Sequence, residues 1–260
     1  MRIFITGSTG FIGRRVVAEL QKRKHSVYCM KSRLENIRGV EQELKRYAPD
    51  VVLHLAWEGL PDYGAAMSAK NIATGMQFFM LLAKCKLKKV VAVGTCFEYD
   101  NEKTASYWAY ILAKRALRQF GEKLFSDNGG MFVWAVPFYV YGAGKPPRSL
   151  IPALIAQAKS GKVPVVKNDV WLDYVYVDDV ARALVILVEK RRAQGTYEVG
   201  TGTHTRTGDI ARIIARAYGV PSVSLPPMSK SGKVADTRRV RNLGWKPTHS
   251  MHKGISAMIV

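Results

Sequence analysis

The chain opens with the stretch Arg2-Ile3-Phe4-Ile5-Thr6-Gly7-Ser8-Thr9-Gly10-Phe11-Ile12-Gly13, which indicates how its first half folds. The first five residues predict a buried strand, and the pattern after the last glycine predicts a helix. Three glycines fall between them, where backbone N–H groups and the positive helix end can approach a pyrophosphate. The spacing is not the commonest dinucleotide fingerprint, but the strand–turn–helix context favours a dinucleotide site over a tight turn without ligand.

Apolar runs then alternate with helical segments. The predicted strands are 2–6, 25–30, 51–55, 89–93 and 131–136, and the helices extend to about residue 23, over 40–47, over 67–85 and around Tyr110. Continuous apolar strands separated by helices indicate a parallel sheet covered on both faces. The fold class is therefore α/β, a Rossmann-like doubly wound parallel sheet. The linker from Met30 to Val40 is short, which predicts one trimmed unit of the sheet.

The alternation of predicted strands and helices is less regular beyond residue 141. A smaller C-terminal substrate-binding part is predicted over 142–260, after a cofactor-binding domain over 1–141 to which about 167–200 contribute. Its predicted elements are helices at 150–159, 178–190 and 208–218, strands at 163–166, 173–177 and 196–199, and an exposed loop at 221–232.

The chain is strongly basic, with 40 Lys+Arg against 20 Asp+Glu and a formal net charge of +20. Such a charge suits nucleic acid, an anionic membrane surface or phosphorylated small molecules. The basic residues are scattered, mostly at the ends of predicted helices, where cations complement the helix dipole. No nucleic-acid-binding signature accompanies them, and no apolar run reaches the ~18 residues needed to span a bilayer. We therefore expect no nucleic-acid partner and no membrane insertion.

The three cysteines, Cys29, Cys85 and Cys96, form no CxxC pair, and the start of the chain lacks the layout of a signal peptide. This usage is typical of a reducing compartment, so a cytoplasmic location is expected. The cysteines need be no more than small buried apolar side chains, and no metal site is predicted.

Tyr110 and Lys114 are four residues apart in a segment of good helix formers, so their side chains would be neighbours on one helix face. A close cation favours the phenolate and would lower the pKa of Tyr110. Alone, the pair could be an ordinary amphipathic surface pair. Thr95, however, ends the strand before this helix, so all three side chains would meet at the carboxyl edge of the sheet. There the Thr95 hydroxyl would steady a carbonyl oxygen and Tyr110 would deliver its proton.

The second strand ends in Lys31-Ser32-Arg33, without the acidic residue that would hold the ribose hydroxyls of NAD. Lys31 and Arg33 could instead pair with a 2′-phosphate that Ser32 hydrogen-bonds. The turn therefore favours NADP(H) over NAD(H), the alternative being a solvated basic turn.

At this point the chain resembles a known family. The motifs that carry the resemblance are Thr6-Gly7-x-x-Gly10-x-x-Gly13, His54-Leu55-Ala56, Asn71, Thr95, Tyr110-x-x-x-Lys114, Tyr139-Val140-Tyr141-Gly142, Tyr174-Val175-Tyr176-Val177-Asp178-Asp179-Val180-Ala181 and Asn242-Leu243-Gly244-Trp245-Lys246-Pro247. They are similar to those of the extended short-chain dehydrogenase/reductases that act on nucleotide sugars, the epimerase/dehydratase superfamily. The match spans nearly the whole chain.

The resemblance implies roles for particular residues. The catalytic set would be Thr95, Tyr110 and Lys114. Cofactor binding would involve Gly7, Thr9, Gly10, Phe11, Ile12, Gly13, Lys31, Ser32, Arg33, Asn36, Ile37, Leu55, Ala56, Trp57, Asn71, Tyr110, Lys114 and Pro137. A nucleotide-diphosphate sugar would contact Glu58, Thr95, Cys96, Phe97, Tyr139, Lys145, Arg148, Leu172 and Arg238, although Leu172 replaces an arginine usual in the family.

Two departures bear on the reaction. Where 4,6-dehydratases of the family carry two acids after the threonine, this chain has Cys96 and Phe97, and Glu98 in an extended segment would face the opposite side. Phe97 and Ser149 stand near the positions of the acid–base pair of GDP-fucose synthase-type epimerase-reductases. The resemblance is then closest to NADPH-dependent 4-ketoreductases of nucleotide-linked 4-keto-6-deoxyhexoses. The alternatives are a 4-epimerase with tightly bound NAD and a non-catalytic cofactor-binding regulator.

The helix predicted from Met67 to Cys85 is apolar almost all round, so it must be covered on two sides. Together with the Tyr110 helix it would suit the four-helix homodimer interface common in this family. Burial beneath the sheet alone is the alternative.

Overall fold

A computed structural model describes residues 1–221, 223 and 225–259 of the chain. These residues divide into two compact units, the first comprising Met1–Pro137 with Ala181–Tyr197 and the second Phe138–Val180 with Glu198–Val260. No helix in the described ranges has both the length and the apolar character required to cross a bilayer.

The first unit alternates strands with helices, as the apolar pattern predicts. Its elements are β1 (Arg2–Thr6), α1 (Phe11–Lys22), β2 (Ser26–Cys29), α2 (Ile37–Tyr47), β3 (Val51–His54), α3 (Ala65–Lys84), β4 (Lys89–Val93), a 3₁₀ helix (Cys96–Tyr99), α4 (Trp108–Asp127) and β5 (Met131–Pro137). A single helix, α2, connects β2 to β3. It begins at Ile37, three residues before the predicted start, because the Asn36 side chain caps it by accepting the Gly39 N–H.

The remaining elements follow in chain order. They are β6 (Tyr139–Tyr141), α5 (Leu150–Lys159), β7 (Asp169–Leu172), β8 (Tyr174–Tyr176), α6 (Val177–Glu189), β9 (Gly195–Val199), β10 (Thr205–Arg206), α7 (Thr207–Ala217), β11 (Met228–Ser231), α8 (Arg238–Arg241) and α9 (Met251–Ile259).

The main sheet has the strand order β2-β1-β3-β4-β5-β9, and β1 to β5 pair in parallel. The predicted α/β fold class with a doubly wound parallel sheet is confirmed. Since each helix returns the chain to the start of the next strand, α1 to α4 end at the amino edge of the sheet. The segments after β1, β3 and β4 gather at the carboxyl edge.

A charged side chain is buried at the amino edge of the main sheet. Lys89 begins β4 and is buried, and its ammonium donates hydrogen bonds to the carbonyls of Leu187 (2.6 Å), Val188 (3.1 Å) and Lys190 (2.6 Å). These carbonyls lie at the end of α6, where helices leave acceptors without intrahelical partners. The ammonium therefore caps α6 from within the core.

The second unit is held together by buried aspartates. Asp173 accepts the backbone N–H groups of Thr201 (2.7 Å), Gly202 (2.9 Å) and Ala235 (3.0 Å). Asp179 similarly accepts the backbone N–H groups of Thr248 and His249, both at 3.1 Å. The carboxylates thus replace regular secondary structure in fastening the C-terminal loops.

The sequence pattern is less accurate in this second unit. The strand predicted at 163–166 is wrong: that stretch is irregular, and a strand forms instead at β7, between β10 and β11. The loop predicted at 221–232 is wrong in part because it contains β11, while Ser222 and Ser224 lie outside the described residues.

Candidate active site

The glycine turn between β1 and α1 is shaped by close backbone packing. Gly7 has φ +71°, and a methyl group there would overlap the backbone of Leu55 and Ala56. A methyl group on Gly13 would overlap the Gly7 carbonyl. The predicted cofactor residues Thr9, Gly10, Phe11 and Ile12 lie on the same turn, and the first turn of α1 carries no acidic residue. The turn is therefore tight and open to an anion at the helix N-terminus.

The loop after β3 is tied to this turn by Thr6. The Thr6 hydroxyl oxygen accepts the Ala56 N–H (3.2 Å) and is 2.8 Å from Nδ1 of His54. Burial, aided by the charge of Lys114, lowers the pKa of His54 to about 3, so the imidazole is neutral at physiological pH. His54 is thus a packed strand-end residue that orients the loop carrying Leu55 and Ala56.

Asn71 fastens the next part of that loop. Its side chain accepts the Glu58 N–H (2.8 Å) and donates to the Glu58 carbonyl (3.1 Å) and the Met67 carbonyl (2.8 Å). The Glu58 carboxylate is half-exposed and pairs with Lys70 (2.6 Å) and Arg33 (3.7 Å). Asn71, predicted among the cofactor residues, acts here on the backbone of the loop.

The basic turn after β2 contains an anchor that sequence reasoning missed. The buried Glu43 carboxylate accepts the backbone N–H groups of Lys31 (2.9 Å) and Ser32 (2.7 Å). Burial acts to raise the pKa of Glu43, but these hydrogen bonds outweigh it and hold the pKa below its usual range. Glu43 lies on α2, eleven residues after Ser32, so only the folded chain reveals the contact. The side chains of Lys31 and Arg33 remain exposed.

The structure brings the three predicted catalytic residues together. Tyr110 and Lys114 are buried one turn apart on α4, and the Lys114 ammonium donates to the carbonyl of Val93 (2.9 Å), the last residue of β4. Thr95 follows after Gly94 and caps the 3₁₀ helix, its hydroxyl oxygen accepting the Phe97 N–H (3.3 Å). A strand end and one helix face therefore form the cluster.

Burial outweighs the expected lowering of the Tyr110 pKa by Lys114. Burial, and then the neighbouring Tyr63, raise the pKa of Tyr110, although its hydrogen bond with Thr95 acts the other way. Burial also lowers the pKa of Lys114 to about 7, against the charge of Glu98. The ammonium lies 5.9 Å from the Tyr110 ring centroid, so desolvation of both groups dominates their attraction. The phenol is consequently a protonated, potential proton donor.

Aromatic side chains enclose the pair. Trp57 stands edge-on to Tyr110 with ring centroids 5.2 Å apart, and the Lys114 ammonium lies over its indole at 3.9 Å from the centroid. Tyr63 lies 5.0 Å and Phe97 6.3 Å from the Tyr110 ring. Among the residues that the structure describes, Trp57 Nε1 is buried without a hydrogen-bond partner, which is costly unless a ligand supplies an acceptor.

The segment after Thr95 differs from its predicted conformation. It is a 3₁₀ helix, not extended, and Glu98 faces inward to accept the Thr95 N–H (3.0 Å) and the Trp134 Nε1–H (2.9 Å). The reason is local: Thr95 and Glu98 form a reciprocal capping box that closes the turn. Cys96 is buried beside them, and Phe97 lies within the aromatic enclosure.

Pro137, predicted among the cofactor residues, ends β5 in the first unit, whereas five of the predicted substrate residues belong to the second unit. Within that unit, the Tyr139 ring packs on Tyr174 at 5.8 Å and Leu172 lies on β7 opposite Thr205. Burial lowers the pKa of Lys145, whereas Arg148 is exposed. Arg238 is paired with Asp236 through hydrogen bonds of 2.9 and 2.6 Å.

Comparison with known proteins agrees with this geometry. The NAD dependent epimerase/dehydratase family matches residues 3–200, about three quarters of the chain. The chain belongs to this family. It is therefore an enzyme of the extended short-chain dehydrogenase/reductase type, as the motifs predict.

The chain is similar to known proteins over nearly its whole length. CDP-abequose synthase of Salmonella typhimurium is 22% identical over 99% of this chain and 97% of its own length. UDP-N-acetylglucosamine 4-epimerase from Bacillus cereus superimposes with a TM-score of 0.86 at 17% identity, covering 100% of this chain and 95% of that one. UDP-glucose 4-epimerase of Thermus thermophilus, solved as a complex with NAD, gives 0.83 at 22% identity and covers 100% and 98%.

The residues present fit the dinucleotide that the family name implies. The glycines admit a close backbone approach, the first turn of α1 carries no acidic residue, and the buried Trp57 Nε1 needs an acceptor. The turn of Gly7, Gly10 and Gly13 would hold the pyrophosphate, and Lys114 would reach the nicotinamide side.

Proposed function

We propose that this chain reduces the 4-keto group of a nucleotide-linked 4-keto-6-deoxyhexose with NADPH. The proposal rests on one observation above all: a buried, protonated Tyr110 stands beside Lys114 and Thr95, while the residues after Thr95 are Cys96 and Phe97. A dehydratase or a C3/C5 epimerase needs further acid–base groups at this point. The full-length similarity to a CDP-abequose synthase supports the same substrate class.

In this proposal the bound cofactor supplies the hydride. Tyr110 donates its phenolic proton to the oxygen of the ketone, and the Thr95 hydroxyl donates a hydrogen bond to the same oxygen. The cationic form of Lys114 stabilises the phenolate that remains on Tyr110. The enclosure of Trp57 and its aromatic neighbours excludes water, which strengthens these charge interactions.

The test is oxidation of NADPH, followed by absorbance, with a panel of CDP-, dTDP-, GDP- and UDP-linked 4-keto-6-deoxyhexoses. We expect turnover with at least one nucleotide, and a loss of about 10²–10⁴-fold in kcat for Tyr110→Phe with NADPH binding retained. Interconversion of C4 epimers without net cofactor consumption would instead establish the second candidate, a 4-epimerase. The structural similarity to solved 4-epimerases supports this second candidate.

The preference for NADPH rests on the basic turn. Glu43 fixes its backbone, and the exposed side chains of Lys31 and Arg33, the latter 3.7 Å from the Glu58 carboxylate, can pair with a 2′-phosphate. Arg33→Ser should weaken NADPH by about 10- to 100-fold, the equivalent of one charge-assisted hydrogen bond, and leave NADH unchanged. Titrations of both cofactors decide the matter, and tighter NADH binding by the unmodified chain would overturn the preference.

We also propose a homodimer in a cytoplasmic setting. Met80 on α3 and Trp108 and Leu112 on α4 are 49%, 49% and 43% exposed, and the two helices pack side by side in the first unit. Two such pairs would form a four-helix interface that covers these side chains. Light scattering should give twice the chain mass, and Met80→Lys with Leu112→Lys should give a monomer. A monomeric unmodified chain would contradict the dimer.

A further inference from the structure

Glu98 is an acid in the core of the first unit, only 3% exposed. Its Oε1 accepts the Thr95 N–H (3.0 Å) and the Trp134 Nε1–H (2.9 Å), and Arg118 Nε lies 3.5 Å from Oε2. A buried carboxylate is costly unless paired and hydrogen-bonded. Burial raises the pKa of Glu98, and the hydrogen bonds and nearby cations act to lower it.

The carboxylate is linked to the candidate catalytic pair through an indole. Trp134 lies on β5, and its ring centroid is 5.8 Å from the Lys114 ammonium. An indole that donates its N–H to a carboxylate presents a more electron-rich face, which attracts a cation more strongly. The indole of Trp134 therefore contacts the Glu98 carboxylate through its N–H and lies near the Lys114 ammonium through its ring.

The backbone leaves room for this arrangement. A side chain on Gly94 would overlap both Trp134 Nε1 and Glu98 Oε1. The residue between Val93 and Thr95 must therefore be glycine for the Glu98 carboxylate to occupy this position. The guanidinium of Arg115 donates a hydrogen bond to the backbone carbonyl of Glu98 (2.7 Å). The Glu98 carboxylate is therefore available for its contacts with Thr95, Trp134 and Arg118.

We propose that Glu98 is a positioning residue for the Tyr110–Lys114 pair. Its carboxylate fixes the Thr95 main chain and, through Trp134, favours the cationic form of Lys114. The catalytic consequence rests on the proposed function. The effect on Lys114 does not, because it belongs to the chain without substrate.

The titration of Lys114 depends on the groups that surround Lys114 and Glu98. Lys114 faces Trp57, Tyr110 and Trp134, with neutral His54 close enough to feel its charge. Glu98 raises the pKa of Lys114 against burial. Around the carboxylate itself stand the Thr95 N–H and the cations Arg118 and Lys114.

The first experiment follows Lys114 by ¹³C NMR of labelled lysine side chains in the cofactor-free chain, the signal being assigned by its loss in Lys114→Met. Glu98→Gln keeps an oxygen that can accept the Thr95 and Trp134 N–H groups but removes the charge. We expect Lys114 to titrate at a lower pH in this variant. Glu102→Gln is the matched control: it removes a partly exposed carboxylate that pairs with Arg115, and the Lys114 titration should not move.

The second experiment measures kcat/KM against pH for the same variants. Above the pKa of Lys114, each unit by which that pKa falls reduces the cationic fraction about tenfold. The alkaline limb of the Glu98→Gln profile should therefore move to lower pH. If neither the NMR titration nor the profile moves while the variant unfolds at the same temperature, Glu98 only caps the 3₁₀ helix and the proposal is wrong. If no sugar is reduced, the NMR result still decides the role of Glu98.

Discussion

Two buried lysines of the first unit, Lys89 and Lys114, differ in what their ammonium groups contact. Lys89 begins β4 and donates all three N–H groups to carbonyls at the end of α6. Lys114 approaches the opposite end of the same strand, where it donates to the Val93 carbonyl and otherwise faces aromatic rings. Burial lowers the pKa of both, to about 8 for Lys89 and about 7 for Lys114.

The contrast shows that burial and a shifted pKa do not identify a functional lysine. Lys89 is saturated by backbone acceptors, so it has no hydrogen left for a ligand. Lys114 keeps donor capacity at the carboxyl edge of the sheet, next to Tyr110 and an unpaired indole N–H. Unused hydrogen-bonding capacity in the right place separates the two roles.

The largest expected difference is in turnover. Lys114→Met should lower kcat by about 10²–10⁴-fold in the NADPH assay, because the phenolate of Tyr110 loses its cation. Lys89→Met should retain the kcat of the unmodified chain, measured per folded molecule. Equal losses in the two variants would break the comparison and assign both lysines to the same role.

Stability should show the reverse order. Lys89→Met leaves buried carbonyls of α6 without their donor, a loss of about 1–3 kcal/mol in the free energy of unfolding. Lys114→Met removes the donor to one carbonyl but also removes a desolvated cation, so the free energy of unfolding should fall by less. Urea unfolding monitored by circular dichroism measures both, and a larger loss for Lys114→Met would be inconsistent with this account.

A further difference lies in pH dependence. The folded pKa of Lys114, about 7, lies below its ordinary value of 10.5, so between these values the unfolded chain binds more protons than the folded chain. The free energy of unfolding contributed by this residue therefore rises as the pH rises from about 7 to 10.5 and is lost as the pH falls back. The advantage of the unmodified chain over Lys114→Met should grow across this window. A constant difference would show that Lys114 is not desolvated.

The first unit could be predicted from the sequence because local signals agree there. Apolar strands, helix periodicity and the glycine turn before Phe11 all indicate the same sheet, and the spacing of Tyr110 and Lys114 needs only a helix to become a contact. The second unit was harder because its anchors, such as Asp173 and Asp179, act across distant loops. The short strand β7 depends on partners more than thirty residues away in the chain.

Within the candidate site, the missed contacts involve polar groups buried by tertiary packing. An extended backbone would turn Glu98 to the opposite face, whereas the capping box with Thr95 folds the segment into a 3₁₀ helix. The capping pattern Thr-x-x-Glu was present as a signal. Trp134 offered a weaker one, an indole N–H on a strand of apolar residues that had to find an acceptor. Glu43 offered none, since nothing local links it to Lys31.

The space around Gly94 has a consequence for how this site can change over time. Because a side chain there would collide with both Trp134 and Glu98, the three positions are mutually dependent. A larger residue at 94 becomes acceptable only after the acid and the indole have been replaced by smaller groups. We expect positions 94, 98 and 134 to vary together in an alignment of homologous sequences. This correlated set would be additional to the Tyr110–Lys114 pair on α4.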